Sequence, residues 1–187
     1  MTDLIQPVET NDHLWGVLTA PAQLVVYGDY ECPYCAEATE LVNTLKESFG
    51  DQLLYVFRNF PLAEIHSDAM PAAEAAEAAG AQGMFWKMHE MLYENQADLD
   101  EASLVDYARR LELDIEKFKR QLQSRSFHGK IRKDLRTGNA SGVDGTPTLF
   151  LNGVRWEGPI DLEGVATEIE ALIEKADPKS LPQRRVG

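Results

Sequence analysis

The chain has 187 residues, 44% of them hydrophobic and 26% charged, which is one domain's worth of polypeptide with room for a large insertion and a substantial core. Eighteen Lys and Arg against 31 Asp and Glu leave a net charge of −13, so phosphate backbones and anionic lipid surfaces are repelled and neither nucleic acid nor a membrane is an expected partner. No apolar run approaches the roughly 18 residues a transmembrane helix needs, Met1 to Asp12 holds three acids and no Lys or Arg, unlike a signal peptide, and two cysteines exclude a disulfide-rich scaffold or a zinc site of four Cys.

Gln23-Leu24-Val25-Val26-Tyr27 is a short β-branched run ending at Gly28-Asp29, the pattern of a buried strand. Past Cys32 the period changes: Ala36, Ala38, Leu41, Val42, Leu45 and Phe49 recur at helical spacing, and Gly50 closes the segment. Leu53-Leu54-Tyr55-Val56-Phe57 is a second buried strand, stopped by Pro61. Strand, helix and strand at this spacing make a βαβ unit with parallel strands and a right-handed crossover.

From Ser67 to about Asn139 the strand signals vanish. Pro71 to Ala79 is an alanine–glutamate run of very high helix propensity. Met84 to Tyr93 follows as another helix. Asp100 and Asp114 are placed to cap two more, and a further helix is expected from Ser126 to Thr137. Strands resume at Thr148 to Leu151, turn at Asn152-Gly153, and return through Val154-Arg155-Trp156. Asp161 then caps a last amphipathic helix through Leu162, Val165, Ile169, Leu172 and Ile173, and residues 177–187 read as a flexible C-terminal tail.

Both cysteines fall in one window, Cys32-Pro33-Tyr34-Cys35, at the joint between a strand and a helix. Cys32 there sits at or beside the N-cap, and Pro33 takes the first helical position, where a missing N–H costs nothing. Unpaired amides and the positive end of the helix dipole favour a thiolate on Cys32. Cys35 is one turn on, within reach of a disulfide. Such a pair suits thiol–disulfide exchange, with Cys32 attacking and Cys35 resolving. A zinc knuckle would need a second close pair of ligands, which His13, His66, His89 and His128 do not form.

Gly145-Thr146-Pro147-Thr148 is the second constellation. A proline opening a strand belongs at an edge, a bulge or a cis turn, and the residues alone leave these open. A cis proline would leave the backbone of Thr146 free to pair with an extended peptide. Phe85, Trp86, Met88, Met91 and Tyr93 suit a client surface or core, and their helical spacing favours core.

Taken together, Gly28 to Cys35, Arg58-Asn59-Phe60-Pro61-Leu62, Gln82 to His89, and Gly145 to Thr148 with Phe150 and Asn152-Gly153 resemble the DsbA-like branch of the thioredoxin superfamily. The resemblance spans roughly residues 13 to 175. It implies an α/β thioredoxin fold with a helical domain (63–139) inserted between the βαβ and ββα halves (13–62 and 140–176). It also implies a cis peptide at Pro147 facing Cys32. A protein-disulfide oxidoreductase is then expected, with Cys32 nucleophilic, Cys35 resolving, Pro33 and Tyr34 tuning the pair, and Thr146 and Pro147 holding substrate. No cofactor or metal is implied beyond the Cys32–Cys35 disulfide. The expected partners are a disulfide-containing protein or small thiol and an external thiol redox partner. Two alternatives stay open: a non-redox peptide-binding module or holdase using the groove beside Thr146 and Pro147, and glutathione-dependent isomerase or transferase chemistry on the same fold, which would not need the second cysteine.

One departure stands out. The resemblance implies a buried acid, common in related enzymes, six residues before the nucleophile, where it helps move the proton of the second cysteine; this chain has Val26 there. Asp29 and Glu31 are nearer in sequence but are expected at the strand end, in solvent. The helix terminus favours the Cys32 thiolate and Glu31 opposes it, so a pKa below that of a free thiol is expected, less depressed than in a strong periplasmic oxidant. Without an export signal the expected compartment is the cytoplasm, where reduction or isomerisation outweighs net oxidation.

Overall fold

A computed structural model describes residues 3–176; the tail expected at 177–187 lies outside them. Five strands form one sheet: β1 (His13–Trp15), β2 (Ala22–Gly28), β3 (Leu53–Asn59), β4 (Thr148–Leu151) and β5 (Val154–Arg155), in the order β1-β3-β2-β4-β5. Only β2 and β3 pair in parallel, joined by helix α1 (Pro33–Phe49); the other pairings are antiparallel. β2 and β3 are central and covered on both faces, which is why each reads as an unbroken apolar run rather than an alternating one.

Alternation still decides which face each side chain takes. Leu24, Val26, Tyr55 and Phe57 point into one core, where Val42 and Leu45 of α1 and Val165 and Ile169 of α7 (Leu162–Ala176) pack. Val25, Tyr27, Leu54, Val56 and Phe150 point to the opposite face, covered by Leu4, Val8 and Leu14 and by Leu135 of α6 (His128–Ala140). β1 has three residues and no readable period. It forms because residues 13–15 pair with 55–57, an arrangement no local signal announces.

Between β3 and β4 run α2 (Ala69–Gly80), α3 (Phe85–Glu94), α4 (Glu101–Arg110), α5 (Ile115–Gln123) and α6. Asp100 caps α4 through the amides of Ala102 and Ser103, and Asp114 caps α5 through that of Lys117, as their positions predict. The alanines of α2 have a second purpose beyond propensity: seven are buried, letting α3, α5, α4 and α6 approach one axle. Glu77, also buried, accepts from His13 Nε2, Asn59 Nδ2 and Lys130 Nζ, and so pins the helical segment to β1 and β3.

Gly28, where β2 reaches the candidate site, has no room for a side chain. A Cβ there would lie 2.5 Å from the Phe57 ring and 3.0 Å from the Tyr93 hydroxyl. Phe57 is itself wedged among Tyr30, Phe85, His89 and Tyr93. Gly28→Ala is therefore expected to cost about 1–3 kcal/mol through overpacking. Urea unfolding checks this: the midpoint falls with the slope unchanged, and an unmoved midpoint would mean the ring yields freely.

Candidate active site

The site begins where β2 ends. Cys32 is the N-cap of α1 in an extended conformation, and Pro33 occupies the first turn, as the spacing predicts. No side chain caps this terminus and no acid sits in its first turn, so its amides are left for sulfur. Gln96 Nε2 reaches from beyond α3 to donate to the carbonyls of Tyr30 (2.7 Å) and Cys32 (2.9 Å), holding the turn in place. Nothing in the sequence marks Gln96 for this; it is one glutamine in a polar stretch.

Both cysteines are free thiols and both are buried, Cys32 4% and Cys35 2% exposed. Their electrostatics diverge. The Cys32 pKa is lowered to about 5, chiefly by the hydrogen bond from the Cys35 thiol, with burial opposing and the amides of Cys35 and Tyr34 adding to it. The Cys35 thiol is pushed far up by the same hydrogen bond and by burial. One sulfur is thus the thiolate and its neighbour the proton holder. The expectation of a depressed Cys32 pKa stands, although Glu31 exerts less opposition than its adjacency suggests: its carboxylate is turned onto the amide of Asp68 at 2.7 Å.

The structure brings the second constellation to the first. Cys32 Sγ lies 3.3 Å from the carbonyl oxygen of Thr146, and the Thr146–Pro147 peptide bond is cis. Thr146 meets the Cys32 sulfur through its main-chain carbonyl. Pro147 introduces β4, an interior strand between β2 and β5, so the edge-strand alternative fails. Tyr34 is 66% exposed at the rim beside the cysteines. Phe85, Met88 and Tyr93 are buried and Trp86 and Met91 pack against the core, so this set lies beneath the site rather than forming a client surface. Among the described residues no group of three or more His, Cys, Asp or Glu is placed to hold a metal ion, and His89 is instead buried against the Tyr30 hydroxyl at 3.0 Å.

Asp29 corrects the sequence reading. Rather than pointing to solvent, its carboxylate is fully buried: Oδ1 accepts from the Glu31 amide (2.8 Å), and Oδ2 from the Leu62 amide (2.8 Å) and His66 Nδ1 (2.8 Å). Its own amide donates to Cys35 Sγ at 3.4 Å. The signal available in the sequence was the Asx turn, an Asp bonding the amide two residues on. That turn folds the carboxylate back under the loop instead of outward. His66 joins through the β3–α2 connection, which no local pattern places.

Comparison with known proteins agrees with this geometry. The thioredoxin family model matches residues 9–171. Among solved structures, the chain resembles BdbD of Bacillus subtilis (TM-score 0.81, 24% identity, 92% of this chain and 98% of that one). It is similarly close to alpha-DsbA1 of Wolbachia pipientis (TM-score 0.79, 23% identity, 92% and 95%). Curated relatives are a protein named Na(+)/H(+) antiporter NhaA 3 from Salinispora tropica (41% identity, 93% of this chain and 27% of that one) and NhaA 1 from Salinispora arenicola (43%, 89% and 26%). The chain thus spans about a quarter of the length of these relatives, and none of its described helices is long and apolar enough to cross a membrane. A family match covering more than half the chain, over a fold of this kind, establishes that the chain belongs to the thioredoxin family, with the architecture of its DsbA-like members.

Proposed function

We propose that the chain is a thiol–disulfide oxidoreductase whose Cys32 thiolate attacks disulfides of a protein or small-thiol client. The observation that carries this reading is the placement of the pair: Cys32 lies at the uncapped N-terminus of α1, 3.3 Å from the Thr146 carbonyl beside the cis Pro147, with Cys35 buried behind it. This setting lowers the Cys32 pKa to about 5 while raising that of Cys35. At neutral pH such a Cys32 is almost wholly thiolate. Its attack forms a bond from Cys32 Sγ to one client sulfur and releases the other as a thiolate. Cys35 then attacks Cys32 Sγ, closing the Cys32–Cys35 disulfide and freeing the remaining client sulfur, so two electrons pass to the client. An external thiol partner returns them. The backbone of Thr146, whose carbonyl reaches Cys32, is proposed to pair with an extended client segment across the cis Pro147 turn.

Direction follows from potential and compartment. A thiolate pKa of about 5 lies between the values near 7 and 3.5 of thioredoxin and DsbA. A reduction potential between about −270 and −120 mV is expected accordingly. We place the chain in a glutathione-buffered cytoplasm, where the pair is kept reduced and acts by reduction or isomerisation. Cys35→Ser tests the function: mixed with a disulfide client, it is expected to accumulate a covalent adduct at Cys32 that added thiol releases. A non-redox holdase would bind the client and leave no adduct.

A further inference from the structure

Cys35 has to lose a proton in the resolving step, and its surroundings offer few acceptors. It is 2% exposed, and the strand position that would carry an acid holds the buried Val26. The phenols of Tyr55 and Tyr93 face it, but burial raises the pKa of both, which makes them donors rather than bases. Glu31 is committed to the Asp68 amide. The group fastened to Cys35 Sγ is Asp29, through its main-chain N–H at 3.4 Å.

The Asp29 carboxylate is fully shielded, yet it leads outward. Oδ2 is 2.8 Å from Nδ1 of His66, whose side chain keeps 19% of its surface in solvent. The two remaining contacts of the carboxylate are main-chain amides, from Leu62 and Glu31, which fix its orientation. A buried carboxylate with a solvent-touching imidazole on it is an arrangement able to accept a proton inside and release one outside.

We propose that Asp29 and His66 form the proton exit for Cys35, in place of the acid absent at position 26. This rests on the oxidoreductase reading. As the Cys35 sulfur attacks Cys32 Sγ of the mixed disulfide, the new S–S bond forms, the bond to the client sulfur breaks, and the client departs as a thiolate. The Cys35 proton enters the Asp29–His66 couple. The couple gives one proton to solvent or to the departing thiolate through the exposed edge of His66, and ends the turnover in its starting state. Asp29 meets the reacting sulfur through its main-chain N–H, and the proposed acceptor is its carboxylate; His66 acts through Asp29 and is a positioning residue.

The ionisable groups facing His66 are Asp29, Glu31 and Cys32 from the β2–α1 turn, with Asp68 following in its own segment. Burial alone would lower the His66 pKa, but the Asp29 hydrogen bond and the negative charges of Asp29, Glu31 and Cys32 outweigh it and raise it. His66 therefore keeps its proton to a higher pH than a free imidazole, and it gains acceptor capacity as pH rises.

A chromogenic aromatic disulfide separates the steps in a single turnover of the reduced protein. The first thiolate released reports attack by Cys32, and the second reports resolution by Cys35; Cys35→Ser, which gives only the first, identifies the phases. In His66→Gln the second phase is expected to slow roughly tenfold near neutral pH, less than the 10²–10⁴ of a direct base because water can also take the proton. It should converge on the wild type at alkaline pH and recover with added imidazole. Asp29→Asn should show the same pattern more strongly. A His66→Gln second phase matching the wild type at every pH overturns the proposal. So does one slowed uniformly at all pH without imidazole rescue, which marks a merely structural role. If Asp29→Asn does not fold, His66→Gln decides alone. Failure of the wild type to release any second thiolate would instead sink the oxidoreductase reading itself.

Discussion

Replacing Cys32 with serine is expected to abolish disulfide exchange, while leaving the fold intact because the serine fits the same N-cap. Cys35 cannot substitute for it: its thiol is held protonated by its hydrogen bond to Cys32 and by burial, and the burial remains when that partner is removed. A turbidity assay of insulin reduction by external thiol reads the loss directly, and residual turnover near the wild-type rate would overturn the assignment of Cys32 as nucleophile. Thiolate absorbance of the reduced wild type supplies the companion measurement, with a midpoint of about 5 expected. A midpoint at or above about 8.5, the free-thiol value, would remove the electrostatic basis of the mechanism.

The same depressed pKa has a consequence for stability, with a definite sign. The unfolded thiol titrates near 8.5 and the folded Cys32 near 5, so the folded reduced state binds fewer protons between these values. The stabilisation is fully present above the unfolded pKa and is lost as pH falls through about 5. The disulfide form has no thiolate and lacks this term. The stability of the reduced form relative to the oxidised form should therefore grow as pH rises across that window, which urea midpoints of the two forms will show.

Arg58→Ala is expected to be the most destabilising single change among the polar residues, at about 3–5 kcal/mol. Arg58 is 2% exposed and uses all its donors. Nε and Nη2 hold the two oxygens of Asp12 at 3.0 and 2.9 Å, Nη1 donates to the Gln6 carbonyl and the Tyr27 hydroxyl, and Nη2 also to the Pro7 carbonyl. This one fork ties the N-terminal segment onto β2 and β3. Its removal strands the mostly buried Asp12 carboxylate and two carbonyls. Lysine should not restore it, because a single ammonium cannot span four acceptor groups. The urea midpoint checks the magnitude; adding Asp12→Asn to Arg58→Met should recover part of the loss by removing the unpaired charge. A midpoint within experimental error of the wild type would show that the N-terminal segment is held by its apolar contacts instead.

Much of the architecture was legible because it is written at short range. β2 and β3 declare themselves as apolar runs, α4 and α5 by Asp100 and Asp114, the β4–β5 turn by Asn152-Gly153, and the cysteine pair by its spacing at a strand–helix joint. The placement of Pro33 at the start of α1 follows from proline's own geometry. Chemistry confined to a few neighbouring residues needs no partner from elsewhere to be recognised.

What stayed hidden depends on contacts between distant parts of the chain. β1 exists because three residues find the edge of β3. Gln96 acquires its role by reaching back over 60 residues to the turn that carries Cys32. Asp29 looked solvated because an acid at a strand end has water as its default partner. Only the converging amides of Glu31 and Leu62 and the ring of His66 make its burial tolerable. A thioredoxin-type framework with one cysteine pair, Cys32 and Cys35, and an acidic net charge can be read from the chain alone. How that pair is polarised, and which buried carboxylate stands beside it, emerges in three dimensions, since burial and pairing across the fold set charge and proton affinity.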